Sequence, residues 1–268
     1  MTLLHADTAL AVRLERIAAN DLVRFGSIAA SLYPESGAAA VRIAGGAALW
    51  MGEDSPMNVA CGLGMDSEVT PGDLDSLEAF FGIHGSSCGI AVCPHAHASL
   101  GAALSGRGYS ITGFENVLVL PLADFDGAPA PGGIHVTEIG AESMRSWERT
   151  VACGFSGSGV ISPAEERLAH VIANDPQARY FMATIDDVPA GTGELVITDG
   201  VGWLSADATL PEYRGRGVQT AIQLARLKAA ASAGCELAVT ESLPGSASMR
   251  NMERRGFRVA YTRVEVAR

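Results

Sequence analysis

The chain has 268 residues, 48% hydrophobic and 18% charged, enough apolar side chain to pack one large or two ordinary domains and too much for disorder. A formal charge of -11 argues against a nucleic-acid binder, where a basic face is expected, and favours cationic or neutral small substrates. No run is long and apolar enough to span a bilayer, and five cysteines without framework spacing point to reduced thiols and a cytoplasmic setting.

The first residues, "MTLLHADTALAVRLERIAAND", carry charges inside a helical pattern and read as neither a signal peptide nor a membrane anchor. Further on, "GLGMDSEVTPGDLDSLEAFF" predicts a helix opening at Thr70-Pro71, with Asp73 and Asp75 in its first turn. "CGIAV" from Cys88 is strand-like, and a short helical run ends in "RGY" at Tyr109 before a last strand, "ITGFENVLVLPL". Residues 123–133 lack periodicity and are rich in Pro, Gly and Ala, so they predict a linker between a first domain, 1–122, and a second, 134–268.

The second half begins with a strand, "GIHVTEIG", and a helix, "AESMRSWERTVACGF", with Glu142 in its first turn. The next helix has Ser162 as N-cap, Pro163 at its first position and Glu165 completing a capping box. "ARYFMATIDD", "AGTGELVITDG" and "VGWLSADATL" predict three consecutive strands, with Asp199-Gly200 as a hairpin turn. Strict alternation along the third would put Trp203, Ser205, Asp207 and Thr209 on one face. "GVQTAIQLARLKAAASAG" follows as a helix with Val218, Ala221, Ile222, Ala225 and Ala229 on one stripe. Then come a buried strand, "CELAVTE", a short helix capped by Ser246, and the final strands.

The halves echo each other. "CELAV" from Cys235 leads through a short helix to "RGF" ending at Phe257, as "CGIAV" leads to "RGY", and the two spacings differ by one residue. The same events in the same order suggest a duplicated fold.

The sharpest local feature is "TLPEYRGRGVQTA", a glycine turn between a strand and a helix. Helix-start N–H groups lack intrahelical partners and sit at the positive end of the helix dipole, so such a turn suits an anion. Gly215 and Gly217 remove side chains that would bar a phosphate, and Arg214 and Arg216 can pair with its oxygens. It is not a P-loop, because the Gly-Lys-Ser/Thr ending is missing, nor a dinucleotide fingerprint, because the third glycine is missing.

This turn, followed by a strand, a short helix and "ERRGF", resembles the Gcn5-related N-acetyltransferase (GNAT) superfamily. That family's cofactor motif, Gln/Arg-x-x-Gly-x-Gly/Ala, is matched by Arg214 and Gly217 and imperfectly by Gln219. The resemblance implies an α/β (mixed α+β) chain of two GNAT-like domains, each a mixed, mostly antiparallel twisted sheet flanked by helices. It implies acetyl-CoA, or another acyl-CoA, as co-substrate and no metal. The pyrophosphate would meet the amides of Arg216, Gly217, Val218, Gln219 and Thr220, beside Arg214 and Gly215. The pantetheine arm would bond the backbone of Ala208, Thr209 and Leu210, with an N–H near Leu210 for the thioester carbonyl. Asn251 joins Ser246 and Ser248 as a side chain that could reach the sulfur or an ordered water. The activity implied is acetyl transfer to the amine of a small molecule or peptide by direct attack.

The attacking amine must be neutral, which requires a base or water chain. Glu241, at a strand end lining the cleft, and Asp207, on the strand leading to the turn, are the candidates, with Glu194 third. Many family members supply a proton from a tyrosine that falls here on Met252, which cannot donate. A thiolate of pKa about 8–9 leaves without strong help, so that loss does not exclude catalysis, and Ser246, beside Ser248 and Asn251, is a candidate partner for the sulfur. The missing tyrosine also motivates an alternative, a non-catalytic acyl-CoA-binding or sensing protein. The first half carries Asp73 and Asp75 where a phosphate would land, so it resembles the non-binding domain of tandem GNAT proteins. Two roles are open to it: walling the acceptor cleft or forming a homodimer contact. The cluster Cys88, Cys93, His95 and His97 lacks the two separated ligand pairs of a zinc site, so no metal is expected.

Overall fold

The computed structural model describes residues 6–156 and 160–268; residues 1–5, where the start read above begins, lie outside the described residues. A 25-residue helix, α1 (Thr8–Leu32), opens on Asp7, whose side chain accepts from the Leu10 N–H at 2.9 Å. A hairpin of β1 (Ala39–Ile43) and β2 (Gly46–Trp50) follows, then β3 (Val59–Cys61). Helix α2 (Pro71–Gly82) starts at the predicted place, with Thr70 and Asp73 forming a reciprocal capping box. Strand β4 (Gly89–Val92), helix α3 (Ala98–Ser105) and the long strand β5 (Ser110–Pro121) are the strand–helix–strand series marked by "CGIAV" and "RGY".

After an irregular stretch, β6 (His135–Ile139) leads to α4 (Met144–Phe155). That helix starts later than its acidic residue suggested, because Glu142 lies in a 3₁₀ turn, Ala141–Ser143, ahead of it. Helix α5 (Pro163–Ala173) carries the predicted capping box from Ser162 and Glu165. The meander β7 (Ala178–Ile185), β8 (Val188–Thr198) and β9 (Val201–Thr209) turns at Asp186-Asp187 and at Asp199-Gly200. All four turn residues have φ between +48° and +72°, the left-handed geometry that two-residue hairpins need. Helix α6 (Val218–Ser232), β10 (Leu237–Ser242), α7 (Ala247–Arg254) and β11 (Arg258–Ala267) complete the chain.

Two compact units emerge, and they are interleaved along the sequence. The N-terminal unit runs to Val117 and adds Ser242–Pro244 and Val259–Arg268; the C-terminal unit takes Leu118–Glu241 and Gly245–Arg258. Strand order in the N-terminal unit is β1-β2-β3-β4-β11-β5, and in the C-terminal unit β5-β10-β9-β8-β7-β6. Within each unit the strands are mostly antiparallel, with parallel pairs at β3–β4 and β9–β10. The two similar strand–helix–strand series therefore trade their last strands: β11 pairs with β4, Val264 opposite Val92, and β5 lies beside β10.

The cores record the same exchange. Val266 from β11 packs with Trp50, Leu74, Phe81, Ile90 and Leu100 in the N-terminal unit. Leu118 and Leu120 from β5 pack with Phe181, Leu195, Ile222, Met252 and Phe257 in the C-terminal unit. Each of these exchanged side chains is at least nine-tenths buried, contributing about 2 kcal/mol apiece if fully withdrawn from water. The expected linker, 123–133, belongs to the C-terminal unit, where Pro131 packs against Gly217. Among the described residues, no helix is long and apolar enough to cross a membrane.

Candidate functional site

The site in the C-terminal unit is built from one divergence and one turn. Strands β9 and β10 run parallel and pair from Val201/Leu237 to Leu204/Thr240. There the ladder ends, although β9 continues to Thr209 and β10 to Ser242. Among the described residues, the β9 edge facing β10 has no ladder partner beyond Leu204, while its other edge stays paired with β8 through Thr209. Glu241 follows the last paired residue of β10 and lies half-buried at the mouth of this divergence.

Strand β9 leads through a 3₁₀ turn, Pro211–Tyr213, into the glycine turn. Gly215 (φ +74°) and Gly217 (φ +91°) adopt conformations that L side chains resist. Gly217 caps α6 without a side chain, and the first helical hydrogen bond runs from the Ala221 N–H to the Gly217 carbonyl at 3.0 Å. The amides of Val218, Gln219 and Thr220 precede that bond, so they have no acceptor within the helix. No acidic residue lies in the first turn. Arg214, Gly215 and Arg216 are exposed. Arg216 stands 5.4 Å over the Tyr213 ring, and Arg214 Nε donates to the Thr209 carbonyl at 3.4 Å. Space around Gly215 is open, with no atom within 4 Å of a built Cβ. Together these groups offer an anion three backbone donors and two guanidinium groups.

The structure redistributes several residues named from sequence. The Leu210 N–H donates to the Ala190 carbonyl at 3.0 Å, so it is not available to a thioester carbonyl. Ala208 turns its methyl against Gly154 of α4, which has no Cβ to collide with it. Gln219, large where the motif has Gly or Ala, swings across to α7. Its Nε2 donates to Ser248 Oγ at 3.0 Å, and its Oε1 accepts from Asn251 Nδ2 at 2.6 Å. Asn251 Oδ1 in turn accepts from Arg254 at 3.0 Å, so both ends of that amide are engaged within the protein. Ser246 caps α7, its Oγ accepting from the Met249 N–H at 3.0 Å. Met252 is 1% exposed and packs in the core with its sulfur against the Gln223 amide, far from the role of a proton donor.

Asp207 does not share a face with Ser205, contrary to the alternation expected along β9. The β8–β9 register shifts between Thr192 and Glu194, and Ala206 has φ +51°, marking a β-bulge. The extra residue turns Asp207 toward α6, where it pairs with Arg226, while Ser205 donates to Glu194 Oε2 at 2.6 Å on the other face. Arg226 is the residue sequence reading missed, for a cation in an otherwise apolar helix reads as solvent-facing. The usable signal was "AGTGE" in β8: a glycine inside a strand marks close approach, and here Gly193 makes room for the guanidinium.

The corresponding helix start in the N-terminal unit is acidic. Asp73 occupies its own helix start, held below the ordinary carboxylate range by bonds from the backbone and hydroxyl of Thr70. The cysteine–histidine cluster is equally unpromising as a nucleophile or ligand set. Burial pushes the Cys88 thiol up, and burial with the nearby Glu15 charge pushes Cys93 to about 12. Among the described residues, no three His, Cys, Asp or Glu side chains are grouped to hold a metal. We expect iodoacetamide on the native protein to modify Cys153, the one half-buried cysteine, ahead of the buried Cys61, Cys88, Cys93 and Cys235. Peptide mapping checks this, and labelling of Cys93 at the Cys153 rate would contradict it.

Residues 144–257, from the start of α4 to the residue before β11, match the family model described as "Acetyltransferase (GNAT) family". This segment is a GNAT acetyltransferase domain. The fold of the whole chain is that of tandem GNAT proteins. A tandem GNAT protein from the clavulanic acid biosynthesis pathway superimposes with a TM-score of 0.62 at 15% identity, covering 99% of this chain and 96% of its own. A GCN5-related N-acetyltransferase from Kribbella flavida gives 0.65 at 16% identity, with 90% and 94% covered. One from Sphaerobacter thermophilus gives 0.55 at 17% identity, with 68% and 59% covered. A search of curated protein sequences returns no match. Acyl transfer from an acyl-CoA is the general chemistry of this GNAT fold. The glycine turn and the diverging strand edge of the C-terminal GNAT domain fit that co-substrate, one offering donors to phosphates and the other unpaired backbone to an amide-bearing arm.

Proposed function

We propose that this GNAT protein transfers an acetyl group from acetyl-CoA to the amino group of a small molecule or peptide, by direct attack of the amine on the thioester. The observation that carries this reading is the pairing of a side-chain-free helix start with a parallel strand pair that separates after Leu204/Thr240. Val218, Gln219 and Thr220 would hold the pyrophosphate through their amides, with Arg214 and Arg216 screening its charge. The unpaired edge of β9 would align the pantetheine arm. Acetyl-CoA supplies the activated acyl group, and the protein supplies orientation and a place for the amine's proton. Glu241 is the carboxylate best located for that proton, at the mouth of the divergence. Asp207 pairs with Arg226, and Ser246 caps α7. The net charge of -11 favours a cationic acceptor and a cytoplasmic setting is consistent with reduced thiols.

A second reading is favoured by Met252. With that side chain buried in the core, α7 offers no tyrosine hydroxyl to the leaving thiolate, as a protein that binds or senses acyl-CoA without turning it over would not need one. Thiol release from acetyl-CoA, measured across a panel of polyamines, amino acids, aminoglycosides and peptide N-termini, separates the two. Amine-dependent release supports transfer, and Glu241→Gln then lowers kcat by about 10²-fold with little change in KM for acetyl-CoA. Calorimetric CoA binding without release on any amine would favour the sensor.

A further inference from the structure

We infer that Arg226 and Asp207 are a buried positioning pair: they hold the β9 bulge, and thereby the diverging strand edge on which the proposed acyl-CoA reading rests. Arg226 is 0% exposed although it lies in the middle of α6. Its Nη1 donates to the carbonyls of Glu194 and Ser205, both at 3.0 Å, and its Nη2 to Asp207 Oδ1. Those acceptors stand on the two strands at the register shift, where an antiparallel ladder loses its regular partners. A planar guanidinium is suited to such a place, because one rigid fork serves several oxygens lying near one plane.

Two further observations show that the strands are shaped around it. A Cβ on Gly193 would come within 2.5 Å of Ile222 Cγ2 and 2.8 Å of Arg226 Cζ and Nε, so the strand residue facing this part of α6 is the one residue that leaves room. Ala206 keeps φ +51°, a left-handed conformation an alanine resists, at the bulge position. The β9–β10 ladder stops at Leu204, immediately before the clamped Ser205 carbonyl. Bulge, clamp and divergence thus begin within two residues of one another. Filling a core by itself does not call for a buried ion pair, because apolar side chains of similar volume stabilise a core as well or better. The pair positions backbone; it does not touch the reacting atoms.

The test compares Asp207→Asn, Arg226→Met and the double variant Arg226→Met/Asp207→Leu, by hydrogen exchange over Ser205–Leu210, CoA calorimetry and turnover against pH. Asparagine keeps an acceptor for Nη2 but not the counter-charge, so Asp207→Asn should lower the melting temperature while leaving the shape of the pH profile of turnover in place. Arg226→Met should speed exchange over Ser205–Leu210 by about tenfold or more. It should also weaken CoA binding by about tenfold to a hundredfold, because the strand edge moves. The double variant, free of a stranded charge, should recover the melting temperature without recovering CoA affinity. A collapsed, pH-flattened turnover in Asp207→Asn would make Asp207 a base instead. Unchanged exchange in Arg226→Met, or restored affinity in the double variant, would overturn the pair's role. If wild-type protein binds no CoA at all, the acyl-CoA reading falls, and exchange alone still decides whether Arg226 holds the bulge.

Discussion

Gly217→Val should reduce CoA affinity by about a hundredfold, two effects adding at one residue. The first is conformational. Gly217 has φ +91° at the cap of α6, and a β-branched side chain there costs about 1–2 kcal/mol of strain before any contact is considered. The second is steric, since a Cβ would lie 3.0 and 3.1 Å from Pro131 Cγ and Cβ. Relieving both requires the helix start to turn, which re-aims the amides of Val218, Gln219 and Thr220. Gly215→Ala is the matched control. Its φ of +74° brings the same kind of strain, but nothing lies within 4 Å of the new methyl, so the loss should stay near tenfold. Isothermal calorimetry with CoA and with dephospho-CoA measures both. Equal, wild-type affinity in the two variants would remove the phosphate role from this turn.

The second large effect is on stability. Glu15→Ala should lower the unfolding free energy by about 3–5 kcal/mol, read from the urea midpoint at constant slope. Glu15 of α1 is 0% exposed, and its Oε1 accepts from Tyr261 Oη at 2.8 Å and Arg263 Nε at 2.7 Å. Both donors belong to β11, so this carboxylate ties the exchanged strand to the first helix of the N-terminal unit. Burial and the adjacent carboxylate push the Tyr261 hydroxyl up, so it remains a donor across the working pH range. Removing Glu15 takes one buried carboxylate from the Arg263 guanidinium, 3% exposed, which also lies 3.2 Å from Glu115. The double variant Glu15→Met/Arg263→Met should regain most of the loss, because apolar side chains of similar volume replace a buried ion pair at little cost. A Glu15→Ala protein with an unmoved midpoint would show that the cluster carries no net stability.

What the sequence disclosed follows from the range of the interaction involved. The caps at Thr70/Asp73 and Ser162/Glu165, the Asp199-Gly200 turn and the glycine turn at 215–217 rest on contacts within a few residues, and each is present. The strand order inside the β7–β9 meander was also legible, because short turns leave no other pairing. The bulge at Ala206 was not, since alanine gives no sign of a left-handed conformation and alternation ran past it unchecked. Arg226 escaped for a related reason: its acceptors are carbonyls and a carboxylate on β8 and β9, 19 to 32 residues away in the chain, which no helical stripe displays. Gln219 was noticed as a departure from the motif, yet its engagement with Ser248 and Asn251 needed α7 in place.

The traded last strands have a consequence for how such a chain can change over time. Two copies joined end to end could be separated again by recombination at their junction, each half carried off as a self-sufficient module. Here a cut between residues 123 and 133 would leave one fragment without the strand that brings Val266 to its core and the other without Leu118 and Leu120. Neither fragment would be a finished fold. The N-terminal half is therefore retained by architecture as well as by any task it performs, because discarding it would dismantle the core of the C-terminal half.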